Sequence, residues 1–100
     1  MSNSAEAEKV IPRHVDVVRA ALAKALRKLG WNSRIGSNGV VTAVWTSPVF
    51  KFKDDVTIDL ATADKGTRVR VCSRSRVGRY DFGQNAKHIR ELFAEIKKAL

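Results

Sequence analysis

Val56-Thr57-Ile58-Asp59-Leu60-Ala61-Thr62-Ala63-Asp64-Lys65-Gly66-Thr67-Arg68-Val69-Arg70-Val71 carries two runs of alternating apolar and polar residues around a turn. Period-two alternation puts Val56, Ile58 and Leu60 on one face of a strand, and Val69 and Val71 on one face of the next. Ala63-Asp64-Lys65-Gly66 has turn chemistry, so the strands pair as an antiparallel hairpin. Residues opposite each other share a face, which leaves few registers. One sets Leu60 against Val69 and Ile58 against Val71, with Asp59 opposite Arg70 and Asp55 opposite Arg74. The alternative sets Leu60 against Thr67 and faces Lys53 with Arg74. Opposite charges in register stabilise by roughly 0.2–1 kcal/mol per pair and like charges cost as much, so the first register is predicted.

The rest of the chain is built outward from this hairpin. Trp31, Ser33 and Ile35 alternate with polar residues, Gly36-Ser37-Asn38-Gly39 supplies a turn, and residues 40–45 form a β-branched run. These predict a second hairpin. Ser47-Pro48 ends it, and residues 49–53 lead into Asp54-Asp55. The last strand runs on towards Arg76, with Gly78 at its end or at a bulge. Before the strands, Val15, Val18, Leu22, Ala25, Leu26 and Leu29 recur at helical spacing, with Gly30 as the stop. After them, Phe82, Ala86, Ile89, Phe93, Ile96 and Leu100 define a second amphipathic helix. Asp81 is its best N-cap, with Gln84 at capping-box spacing and Asn85 as the competing cap.

Residues 1–11 show no periodic apolar pattern and are predicted to be a disordered N-terminal tail, with one α+β domain over 12–100. The expected fold is two-layered: a four-stranded antiparallel sheet with the N- and C-terminal helices packed on one face, in the order α-β-β-β-β-α. A chain of 100 residues suits one small core. The single cysteine cannot form an internal disulfide, and no apolar run approaches a membrane span. With no basic-then-apolar leader in the first residues, the chain reads as soluble and cytoplasmic.

The formal net charge is +9. Residues 66–90 hold seven of the 19 basic residues and one acid, so two-thirds of the excess lies around one strand and one helix start. With Val69 and Val71 inward, Arg68, Arg70, Cys72, Arg74 and Arg76 share the other face. Arg70 and Arg74 find acids in register in Asp59 and Asp55, and these four are expected to form supporting ion pairs. Arg76 and Arg79 have no acid in register and lead into a helix N-terminus, where free amides favour anions. Arg76, Arg79, Asp81, Gly83 and Asn85 are therefore the candidate ligand-binding residues, because the arginine fork matches carboxylate and phosphate.

Asp54-Asp55-Val56, then Ser73-Arg74-Ser75-Arg76-Val77-Gly78-Arg79, then Asp81, Gly83 and Asn85 resemble the domain-of-unknown-function family fourteen ninety-nine, small bacterial and plastid domains. The resemblance covers roughly residues 12–98. It implies importance for Asp54 and Gly78 beside the residues already named, and it implies no activity. Cys72 stands where that family's pattern has arginine, and Tyr80 and Phe82 replace smaller or aliphatic residues.

No constellation points to catalysis. Strand parity puts Asp55 and Asp59 on one face and Asp54 on the other, which divides the one acid cluster that could hold Mg²⁺. His14 and His88 have no Cys or Asp at metal-ligand spacing, so no metal or cofactor is expected. Ser73 and Ser75 lack a nucleophile-elbow setting. The sequence thus points to a non-catalytic module for an anionic small molecule or an acidic protein surface. Weak, sequence-independent nucleic-acid binding is the alternative, since the charge suits it but interleaved stacking aromatics are missing. An enzyme of unknown reaction is the second alternative.

Overall fold

The computed structural model describes residues 3–77 and 82–100. Its elements are β1 (Ser4–Ile11), α1 (Val15–Leu29), β2 (Asn32–Ile35), β3 (Val41–Thr46), β4 (Lys53–Ala63), β5 (Gly66–Ser75) and α2 (Gln84–Ala99). All neighbouring strands are antiparallel, in the spatial order β1-β5-β4-β3-β2. The β4–β5 register is the predicted one, with Leu60 opposite Val69, Asp59 opposite Arg70 and Asp55 opposite Arg74.

The sheet has five strands, not four. The extra strand, β1, comes from residues expected to be a disordered tail, and it pairs with β5 over its whole length. Its sequence, Ser-Ala-Glu-Ala-Glu-Lys-Val-Ile, does alternate, but Ala and Glu have low strand propensity and alanine gives a faint apolar signal. What holds it is tertiary: an unpaired edge of β5, Ala5, Ala7 and Ile11 packed against the core, and Glu6 and Glu8 placed beside arginines of β5. Lys9, on the inner face, lies with its ammonium 4.8 Å from the centre of the Phe93 ring.

Val18, Ala21, Leu22, Ala25 and Leu26 form the buried stripe of α1 at helical spacing. His14 caps that helix, its Nδ1 accepting from the Asp16 amide at 3.1 Å. Gly30 ends it in the left-handed conformation (φ 73°) and donates to the Leu26 and Arg27 carbonyls. Ile89, Leu92, Phe93 and Ile96 form the corresponding stripe of α2. Both stripes cover one face of the sheet, where Val41, Ala43, Val56, Ile58, Val69 and Val71 are buried in the same core. The helices pack mainly over β1, β5 and β4, and the opposite face carries the arginines and is open. Among the described residues no helix is long and apolar enough to cross a membrane.

The chain leaves β1 at one edge, passes along α1 and enters β2 at the other edge, so the β1–α1 corner must fold tightly against the β4–β5 turn. Gly66 sits there with φ 144°; a Cβ would lie 2.0 Å from the Ile11 carbonyl oxygen and 2.8 Å from the Pro12 Cα. Thr67 locks the same corner by donating its hydroxyl to the Arg13 carbonyl at 2.8 Å. A Cβ at Gly30 would meet nothing within 4 Å. Urea denaturation is therefore expected to show about 1–2 kcal/mol lost for Gly30→Ala, from left-handed backbone alone. Gly66→Ala, which collides with backbone as well, should lose more than about 3 kcal/mol.

Candidate functional site

Alternation along β5 separates two polar regions by face. Arg68, Arg70, Cys72 and Arg74 point to the open side, while Thr67, Val69, Val71, Ser73 and Ser75 are buried beneath the helices. Adjacent Asp54 and Asp55 divide in the same way, Asp54 fully buried and Asp55 half-exposed. Parity alone therefore sends one member of every motif pair into the core.

On the open face the ion pairs differ from those expected in register. Arg76, not Arg74, holds Asp55: Nε and Nη2 donate to the two carboxylate oxygens at 2.9 Å each. Arg70 pairs with Glu6 of β1, not Asp59, and Arg68 lies 3.8 Å from Glu8. Each contact is diagonal, reaching the neighbour two residues along from the one directly opposite, which long side chains on a twisted sheet can do. The unforeseen strand β1 supplied the competing acids. Arg74 and Asp59 form no ion pair among the described residues. Cys72 is a half-buried free thiol on the same face.

The Arg76 hydrogen bonds hold the Asp55 carboxyl below its ordinary value, against the opposing effect of burial and with the Arg76 charge as a lesser contribution, and the Arg76 guanidinium is raised in turn. Arg70 is raised by its hydrogen bond to Glu6. Asp55, Val44 and Asn32 form one row across β4, β3 and β2. Over this row lies a groove of about 630 Å³ with Asn32, Arg34, Thr42, Val44, Asp55 and Arg76 in its lining. Arg34 and Asn32 were not among the residues singled out from sequence. β2 is polar and short, and only the pairing order shows that it joins the wall facing Arg76.

On the inner face, the N-terminal turns of α2 meet β4 and β5 through a buried polar network. Asn85 accepts from the Ser73 hydroxyl at 2.6 Å and donates to the Ser75 hydroxyl at 3.0 Å and to the Asn3 carbonyl at 2.8 Å. His88 Nε2 lies 2.9 Å from Asp54 Oδ2, and both side chains are essentially inaccessible. Trp45 and Trp31 pack on the imidazole, with ring centres 4.6 and 5.5 Å away. His88 was legible in hindsight: it sits four residues before Leu92 on the buried stripe, while Asp54 shares parity with Val56. A buried carboxylate needs a partner, and a histidine on the facing helix is the obvious one.

The candidate ligand residues are thus divided. Arg76 is on the open side, while Asn85 is buried on the other face and held by serines. Gly83 occupies the N-cap position of α2, in place of the expected Asp81 or Asn85. Gly78, Arg79 and Asp81 lie outside the described residues. Among the described residues, no group of three or more His, Cys, Asp or Glu could hold a metal ion.

Two measurements check this geometry. A carboxyl whose folded value lies below its unfolded one contributes stability above the unfolded value and loses it as pH falls through the folded one. Carboxyl NMR titration should place the Asp55 midpoint below that of an ordinary aspartate, and Arg76→Ala should move it up. Asp54→Ala strands a buried imidazole and should cost about 2–5 kcal/mol in urea denaturation; Asp55→Ala should cost clearly less.

Solved structures share the fold, among them the following two. A Chromobacterium violaceum protein superposes with a TM-score of 0.59 at 10% identity, covering 95% of both chains. An uncharacterised Rhizobium leguminosarum protein gives 0.55 at 10% identity, covering 96% of this chain and 92% of the other. At such identity they show the fold alone. No curated protein matches the sequence. The family described as "Protein of unknown function (DUF1499)" matches residues 2–96, in agreement with the Asp54-Asp55 and Ser73–Arg79 resemblance, and the chain belongs to that family.

Proposed function

We propose that this protein is a non-catalytic recognition module that takes a carboxylate or phosphate group, on a small molecule or an acidic protein surface, into the groove between Arg76 and Arg34. The observation that carries this reading is the two-point clamp of Asp55 on Arg76. A guanidinium has five N–H donors; Asp55 engages the Nε edge and leaves the Nη edge presented in a set orientation. Holding the donor beforehand reduces the ordering cost of binding. Arg34, on the opposite wall, forms no ion pair among the described residues and supplies a second fork.

Arg34, Arg76 and Asp55 together leave one net positive charge in the groove, which suits a group of low negative charge. Glu6, Glu8, Asp55 and Asp59 are interleaved with the open-face arginines, and this interruption favours a discrete anionic group over a nucleic-acid backbone.

Calorimetric titration with citrate and inorganic phosphate tests the reading. Weak binding in the millimolar range or better is expected, and loss of one charge-assisted contact in Arg76→Ala or Arg34→Ala should weaken it roughly tenfold. No binding by the native protein, or binding unchanged in both variants, would overturn it.

A further inference from the structure

The sheet is wider than its helical cover. β2 is the terminal strand, every residue of it is exposed, and α1 packs over β4 and β5 on the far side of β3. Ile35 faces the helical side, opposite buried Val41, yet is 67% exposed. Between this overhang and α1 lies a second groove of about 240 Å³, floored by Leu22, Leu26, Ile35 and Val41. Arg19, Arg27 and Arg34 stand at its rim. Arg19 has a 3.5 Å contact with exposed Asp16, and Arg27 forms no ion pair among the described residues.

The edge between the two grooves has open backbone valences. Gly36 donates to the Val40 carbonyl, so the alternation of an antiparallel ladder turns Asn32 and Arg34 towards β3 and directs the N–H and C=O of Ser33 and Ile35 outwards. A strand added there would send alternate side chains to opposite faces. One set would enter the apolar groove over Leu22, Leu26 and Ile35. The other would enter the polar groove at its Asn32 and Arg34 side.

We infer that the β2 edge is a docking site for an extended acidic peptide of a partner protein, with apolar and acidic residues in alternation, which adds a sixth strand beside Asn32–Ile35. The inference rests on the anion-recognition reading in assigning the partner's carboxylates to Arg34. Main-chain hydrogen bonds to Ser33 and Ile35 supply affinity, and the two grooves supply selectivity. Charge selects the occupant. A second copy paired through β2 would bring two sets of Arg19, Arg27 and Arg34 together, whereas an acidic strand sets its carboxylates beside Arg34 and brings negative charge to an edge flanked by Arg19 and Arg27.

The test titrates the full chain with a fluorescent peptide of alternating Glu and Val, its Lys and Val counterpart, and the Glu and Val peptide N-methylated at alternate residues. The acidic peptide should bind and slow amide exchange at Ser33 and Ile35. N-methylation, which removes donors but keeps charge, should weaken it at least tenfold or so. Arg34→Glu, an exposed substitution whose fold is checked by circular dichroism, should weaken the acidic peptide and strengthen the basic one. If citrate binds but the acidic peptide does not, or N-methylation leaves affinity unchanged, edge docking is overturned and the anion site stands. If neither citrate nor the peptide binds, both fall. Self-association through β2 in sedimentation, or equal binding of the basic peptide, also overturns the proposal.

Discussion

Pairing of β4 with β5 along Asp54–Ala63 and Gly66–Ser75 is the constraint from which the remaining arrangement follows. Once Leu60 is opposite Val69, strand parity leaves no freedom about faces: Val56, Ile58, Val69 and Val71 build the core, and Asp54, Ser73 and Ser75 must join them inside. A slip of one residue would bury the arginines. The buried hydroxyls and carboxylate then need partners, and α2 answers with Asn85 and His88 from two successive turns. The polar network is therefore a consequence of the hairpin register, and it anchors the helix that closes the core.

The open face shows a second consequence. A row of arginines on one strand is self-repelling unless acids stand on both neighbours, and here β1 and β4 flank β5 with Glu6, Glu8, Asp55 and Asp59. These contacts are exposed and screened, so their contribution lies in orientation more than in stability. Asp55 illustrates it: the clamp fixes the Arg76 guanidinium over β4, in the lining of the groove that Arg34 also lines.

Much of this was legible in the residues. Two helices, both hairpins, the β4–β5 register and the split of Asp54 from Asp55 all follow from apolar spacing, which reports solvent exposure over short distances. Asp54, Ser73, Ser75 and Asn85 were visible as a set of residues, but Asn85 was assigned to a surface arginine site, whereas all four are buried. Val56 parity and the His88-to-Leu92 spacing carried the missing signal.

What the amino-acid sequence determined by itself is local: which residues alternate, where turns fall, and which strand pair can satisfy both its apolar and charged positions. Only the tertiary structure decided that Ser4–Ile11 is a strand, that Arg76 reaches Asp55 while Arg70 turns to Glu6, and that β2 overhangs α1. The physical reason is common to all three. An alanine- and glutamate-rich segment has too weak an intrinsic preference to declare itself, and an arginine's choice of acid depends on which strands lie on either side of it. Both are properties of neighbours brought together by folding, and no spacing within one segment encodes them.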